Sequence, residues 1–248
     1  ALATGTSTQY LAPTLGAGAT SSYVPAATGG IYRIGGGGNT FIFGGTDNVL
    51  TDNGANPTFL QIGNPRSNSI RTGVIGADGT VTIRNYNNFT GGTQIAVGST
   101  LQLDSGAGFT GQRPLGTGDI EVLGTFSVGG VGAVGDLSYN TASFYNATDL
   151  ANHNTLVMRP GGVISISATA GVDVGGQGKW ADATGQDLNG GSFRYTGDQG
   201  VNSVEQIGTL TIRKDSSVVV TRQNAGTAEL AIAGLTRVAG GTLLVQTG

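Results

Sequence analysis

The chain has no cysteine among its 248 residues. Neither a disulfide framework nor a thiolate metal site can be built from it. A long chain without thiols also crosses an oxidising compartment unfolded without mispairing. Charge is scarce: 11% of residues are charged, against roughly 25% in an ordinary domain. The net charge of −3 is too small to steer strongly charged partners. The cations are dispersed, and all but Lys179 and Lys214 are arginine. Nothing resembles a basic patch for phosphate backbones, so nucleic acid is not an expected partner. No apolar run approaches the roughly 18 residues of a membrane helix, so no membrane span is expected. No charged, apolar, small-residue signal opens the chain. Helical periodicity is almost missing. The best candidate, Phe144 to Met158, contains Asn146, Asn152 and Asn154 and few strong helix formers, so an ordered loop is an equal reading.

What the chain does have is glycine, 46 residues of it, well over twice the roughly 7% average. Disorder is not the explanation. Leu, Ile, Val and Phe make up about a quarter of the chain, above the roughly 20% below which disorder is expected, and they alternate with polar residues. Gly does not recur at every third position, which excludes collagen. Instead a device recurs: a glycine turn, a small residue, then alternating apolar residues. Copies are Gly98-Ser99-Thr100-Leu101-Gln102-Leu103, Gly124-Thr125-Phe126-Ser127-Val128 and Gly162-Val163-Ile164-Ser165-Ile166. Further copies start at Gly191, Gly208 and Gly241. Their spacing is irregular, which suits a solenoid, where each coil needs only its two neighbours, better than a propeller of steady period.

Period-2 runs bounded by Gly, Asn and Asp predict strands. From residue 80 these are Val81–Arg84, Thr93–Val97, Thr100–Leu103, Ile120–Leu123, Thr125–Val128, Thr155–Arg159 and Val163–Ser167. Beyond them come Ser192–Tyr195, Thr209–Arg213, Val218–Arg222, Glu229–Ala233 and Thr242–Gln246. Residues 1–79 are less regular and read as N-terminal strands and loops, an arm or the first coils; residues 80–248 read as the repeats. Ile31–Ile34 and Phe41–Phe43 flank Gly35–Gly38 as a hairpin or a wide turn. Asp52 to Ser69 holds Pro57 and Pro65 and reads as loop or edge, because proline cannot donate to a ladder. Asn85, Asn87 and Asn88 sit at a predicted corner, where Asn can replace Gly at positive φ.

Phe89-Thr90-Gly91-Gly92-Thr93-Gln94-Ile95-Ala96-Val97-Gly98-Ser99-Thr100-Leu101-Gln102-Leu103 resembles the strand repeat associated with autotransporter passenger domains. Pro114-Leu115-Gly116-Thr117-Gly118, the strand that follows and Gly124-Thr125-Phe126 continue the resemblance. Ser99 departs from it by lengthening the turn, and no membrane-barrel translocator is present in this chain. The match covers about residues 80–130, with a weaker echo over about 188–248. The resemblance implies a right-handed parallel β-helix exported to the bacterial cell surface, and no catalytic residue.

The fold expected is therefore all-β, a right-handed parallel β-helix with Gly-rich turns. At roughly 20 residues per coil the chain makes on the order of twelve coils, a rod of roughly 55 Å at 4.8 Å per coil. Ending at Gly248 just after a strand pattern, the chain reads as a piece of something longer. Leu243-Leu244-Val245 near that end is no polar cap, so association end to end into a filament is expected of an open rod.

Candidate sites each have a plainer reading. His153, the sole histidine, lies in Asn152-His153-Asn154 and reads as a solvated loop residue. Asp173, Asp182, Asp187 and Asp198 fall in neighbouring turns with Lys179 and Trp180 among them, and glycoside cleavage needs a carboxyl pair roughly 5–9.5 Å apart. Asp is also a default turn residue, and that reading is preferred. Gly175-Gly176-Gln177-Gly178-Lys179-Trp180 puts Trp where a calcium nonapeptide needs Asp. Gly35–Gly38 is no phosphate loop, lacking a following Lys-Ser or Lys-Thr. Tyr32 and Tyr195, like the other scattered tyrosines, read as packing residues.

No catalytic, cofactor-binding or metal-ligating residue is therefore assigned, no cofactor is expected, and the chain is not expected to be an enzyme. It reads as a structural segment of a bacterial cell-surface or extracellular protein, a rod for display or filament and matrix assembly. The alternative is an adhesin for host or matrix glycans, and a polysaccharide-active enzyme ranks below both. Expected partners are further copies, end to end or side by side, and a glycan or cell-surface partner.

Overall fold

A computed structural model describes residues 30–35, 40–43, 47–63, 79–103, 115–116, 118–128, 156–167, 186–200 and 202–248. Among them lie strands β1 (Ile31–Ile34), β2 (Thr40–Phe43), β3 (Phe59–Ile62), β4 (Gly79–Ile83), β5 (Thr93–Ile95), β6 (Ser99–Leu103), β7 (Ile120–Val122) and β8 (Thr125–Val128). They continue as β9 (Leu156–Met158), β10 (Val163–Ser167), β11 (Gln186–Leu188), β12 (Ser192–Gln199), β13 (Ser203–Ile212), β14 (Ser216–Gln223), β15 (Ala228–Arg237) and β16 (Leu243–Thr247). No helix occurs among the described residues.

Odd and even strands separate into different sheets. The first sheet runs β1-β3-β5-β7-β9, and the second runs β2-β4-β6-β8-β10-β12-β14-β16. The third, β11-β13-β15, takes over where the first ends, β9 packing beside β11. Every strand pairing is parallel. Each coil therefore lays one strand on one wall, turns a corner, lays the next on the opposite wall and returns one step further along. This is a parallel β-helix, and parallel crossovers of right-twisted strands are right-handed in nearly all cases.

The core is a set of columns. On the second sheet Phe41, Val81, Leu101, Phe126, Ile164, Phe193 and Val218 stand in register from coil to coil. All seven are 3% exposed or less. On the first sheet Ile34, Ile62, Ile95, Val122 and Met158 do the same. The outward positions are mostly polar: on the second sheet Thr40, Thr80, Thr100 and Thr125 form one outward file. Period-2 alternation puts the apolar residues on one face only. Burial ends abruptly at the last coil, where Leu235 and Val245 are 61% exposed and Leu244 56%.

From β5 onward the corner leading from a first- or third-sheet strand to the second sheet is short, as at 96–98, 123–124, 189–191 and 213–215. Gly98, Gly161, Gly190 and Gly240 hold four of these corners at φ of 80°, 83°, 80° and 82°, values that favour glycine. The return path is variable. Residues 104–114, 129–155 and 168–185 all fall on it.

Several expectations change. The longest sheet stacks eight strands, roughly 34 Å at 4.8 Å per step, in place of about twelve coils. The coils are longer than supposed: Thr80 pairs with Thr100, but Thr40 pairs with Thr80 and Val163 with Ser192. The Asp52 to Ser69 stretch is not simply loop or edge, because β3 lies inside the first sheet, between β1 and β5; Pro57 precedes the alternating Phe59–Ile62 without interrupting it. Ile31–Ile34 and Phe41–Phe43 are no hairpin, since they belong to different sheets. Gly208 ends no strand: β13 passes through it, and the alternation shifts phase there, with Ile207 and Gly208 both buried. The helical alternative ends in β9, and residues 144–155 lie outside the described set.

The asparagine corner also works differently. Positive φ outside glycine occurs at Asn48 and Asn224. Asn85 and Asn87 act instead through side chains. Asn87 Oδ1 accepts from the Leu50 amide at 3.0 Å and from Asn85 Nδ2 at 3.4 Å, pinning residues 47–50 onto this corner.

A substitution inside a column should therefore cost far more than one on the last coil. Phe126→Ala should destabilise the chain by about 3–5 kcal/mol, and Val245→Ala by no more than about 0.5 kcal/mol. Urea unfolding followed by circular dichroism compares the two directly.

Candidate binding groove on the first sheet

The outer face of the first sheet carries a polar file. Gln61, Gln94 and Glu121 occupy the middle positions of β3, β5 and β7 and lie in register, one per coil. Each sits between two inward residues, so period 2 turns all three outward. Gln61 Nε2 donates to Gln94 Oε1 at 3.2 Å. Gln94 Nε2 in turn donates to Glu121 Oε2 at 2.6 Å. Arg159, just past β9, reaches back and donates from Nε to Glu121 Oε1 at 2.6 Å. Parallel in-register stacking brings identical amides within reach, because successive strands lie about 4.8 Å apart.

Glu121 is held in its ionised form. Donation by Gln94 lowers its pKa from 4.5, partial burial opposes this, and Arg159 lowers it further by hydrogen bond and charge. A carboxylate so held is a poor proton donor near neutrality. The arrangement suits recognition better than acid catalysis.

Beside this file runs a second outward line. Register places Ile31 beside Phe59, and the residues preceding Leu60, Thr93 and Ile120 are Phe59, Gly92 and Asp119. Gly92 interrupts the line with a missing side chain. It sits at φ 101°, and a Cβ there would lie 2.7 Å from the Asp119 carbonyl oxygen. Glycine is required by this close approach, because the Asp119 backbone fills the place a side chain would take, and Gly92 itself is buried. Phe59 stands on one side of Gly92, 48% exposed; the exposed Asp119 stands on the other. Together these residues line an open groove of about 460 Å³.

Asp52 fixes the approach to the groove. Its Oδ1 accepts from the Thr58 amide at 2.8 Å and the Thr90 amide at 2.9 Å. Its Oδ2 accepts from Thr90 Oγ1 at 2.8 Å. The segments leading into β3 and β5 are thereby tied together just before Phe59 and Gly91.

The groove residues were not singled out by sequence reasoning. A signal was present: Leu60-Gln61-Ile62, Thr93-Gln94-Ile95 and Ile120-Glu121-Val122 are equivalent triplets, and aligning them yields the file. Of the four aspartates that reasoning did raise, Asp187 lies outward on β11 and its Oδ2 accepts from Arg213 Nε. Asp198 lies in β12, on another sheet. Asp173 and Asp182 fall outside the described residues, as do Lys179, Trp180 and His153. Among the described residues no group of three or more His, Cys, Asp or Glu is placed to hold a metal ion. Tyr32 and Tyr195 pack in the core, 2% and 1% exposed.

Two measurements check this description. Because the folded state lowers the Glu121 pKa, its contribution to stability is complete above about pH 4.5 and is lost as pH falls through the lowered value. Glu121→Gln should therefore flatten part of the loss of stability in acid, seen as a smaller drop in melting temperature between pH 5 and pH 3 than the parent shows. Gly92→Ala should destabilise by about 1–3 kcal/mol, read from thermal unfolding at neutral pH.

No protein-family model, curated protein or solved structure matches the chain.

Proposed function

We propose that this chain is a structural segment of a bacterial protein exported to the cell surface or beyond, where it projects, spaces or assembles as a β-helical rod. The observation that carries this reading is the unbroken inward column from Phe41 to Val218. Stability in such a stack is a sum of neighbour terms, so reach is obtained by adding coils. Coil-by-coil folding suits a chain that emerges from one end. The cysteine-free composition suits passage through an oxidising compartment. The resemblance of Phe89–Leu103 to autotransporter passenger repeats supports the same placement.

Self-association belongs to this reading. Leu235, Leu244 and Val245 offer an exposed apolar surface on which a further coil, from this protein or another copy, can stack. A polysaccharide-cleaving role has less support, since Asp187 is engaged by Arg213.

Externally added protease tests the placement. On intact cells that make the protein, it should remove the chain while a cytoplasmic marker survives. Retention of the chain until the cells are lysed would overturn the proposal.

A further inference from the structure

We propose that the groove between Phe59 and Asp119 is a subsite for a linear, uncharged oligosaccharide lying along the rod axis. Phe59 is the starting observation. The other described phenylalanines, Phe41, Phe43, Phe89, Phe126 and Phe193, are 3% exposed or less, whereas Phe59 is 48% exposed. An exposed apolar side chain is common on any surface and says little alone. This one borders a groove with a small number of convergent polar groups, which is the usual make-up of a ligand site.

The chemistry fits a sugar. A pyranose has an apolar face of C–H groups and a rim of hydroxyls. The Phe59 ring offers a flat apolar wall to the first. The second meets Gln61, Gln94 and Glu121, whose planar amide and carboxylate groups provide donors and acceptors side by side. These groups are already ordered, because Gln61 is bonded to Gln94, Gln94 to Glu121, and Glu121 to Arg159. Ordered side chains lose little further freedom on binding.

Orientation follows from the register. Phe59, Gly92 and Asp119 lie on three successive coils, a span of roughly 10 Å along the axis from two steps of 4.8 Å. A ligand lying in the groove therefore crosses the strands, with its long axis parallel to the rod. Charge selects the class. Glu121 and Arg159 neutralise each other, and Asp119 is matched by Arg33, which stands in register with Gln61 on the same outward file, so no surplus positive charge recruits uronic or sialic acids. This subsite is independent of cellular location: its failure would leave the surface-rod reading intact, and the protease result would leave the subsite intact.

Titration calorimetry on the full chain tests the inference, with cellohexaose, xylohexaose, maltohexaose and chitohexaose as uncharged probes and hexagalacturonate as the acidic one. At least one uncharged probe should bind at millimolar or better affinity. Phe59→Ala and Gln94→Ala should each weaken that binding tenfold or more with an unchanged circular dichroism spectrum. Gln102→Ala, an outward amide on the second sheet, should leave it unaltered. Side-chain amide resonances of Gln61 and Gln94 in the parent chain should shift on titration, a readout that no folding defect can mimic. Absence of binding by every uncharged probe overturns the inference. So does binding of the acidic probe alone, or binding indifferent to Phe59→Ala.

Discussion

Coil-to-coil stacking of inward side chains is the constraint on which this molecule rests. Each apolar residue finds its partner one coil away at the same height, and the backbone ladder holds it there. Phe126, for example, lies between Leu101 and Ile164. A one-residue slip would turn every inward side chain to water, so the register of the columns and the register of the hydrogen bonds enforce each other. Glycine enters where this stacking brings backbone too near backbone for a side chain, as at Gly91, Gly118 and Gly124.

The same constraint explains what the sequence could tell and what it could not. Strands with strict alternation, such as Thr125–Val128 and Val163–Ser167, were readable to the residue. Alternation puts Leu101 and Leu103 on one face, and stacking turns that face inward. The three-residue β11 was too short to show a period, and Pro57 masked β3. Coil number was overestimated because coil length is set by return segments that have no periodicity to measure. Ser203–Ile207 was hidden for another reason. Its inward position at Glu205, 2% exposed, carries a charge where the pattern calls for an apolar residue.

The groove was illegible for a different reason. Its side chains are far apart in sequence, with Gln61 and Gln94 separated by 33 residues, and each belongs to a triplet that by itself reads only as a short strand. Neighbourhood arises from stacking, so it becomes visible only when the coils are aligned. Gly92 was read as part of a repeat; its close contact with the Asp119 backbone belongs to three dimensions.

The uneven corners have an evolutionary corollary. From β5 onward one margin of the rod turns through a few residues, while the opposite margin accepts segments of very different length without disturbing the registers on either side. Insertions and exchanges can accumulate along that permissive margin, one per coil, and all emerge on the same side. A lineage carrying such a scaffold can vary that margin while the opposite seam keeps the architecture intact.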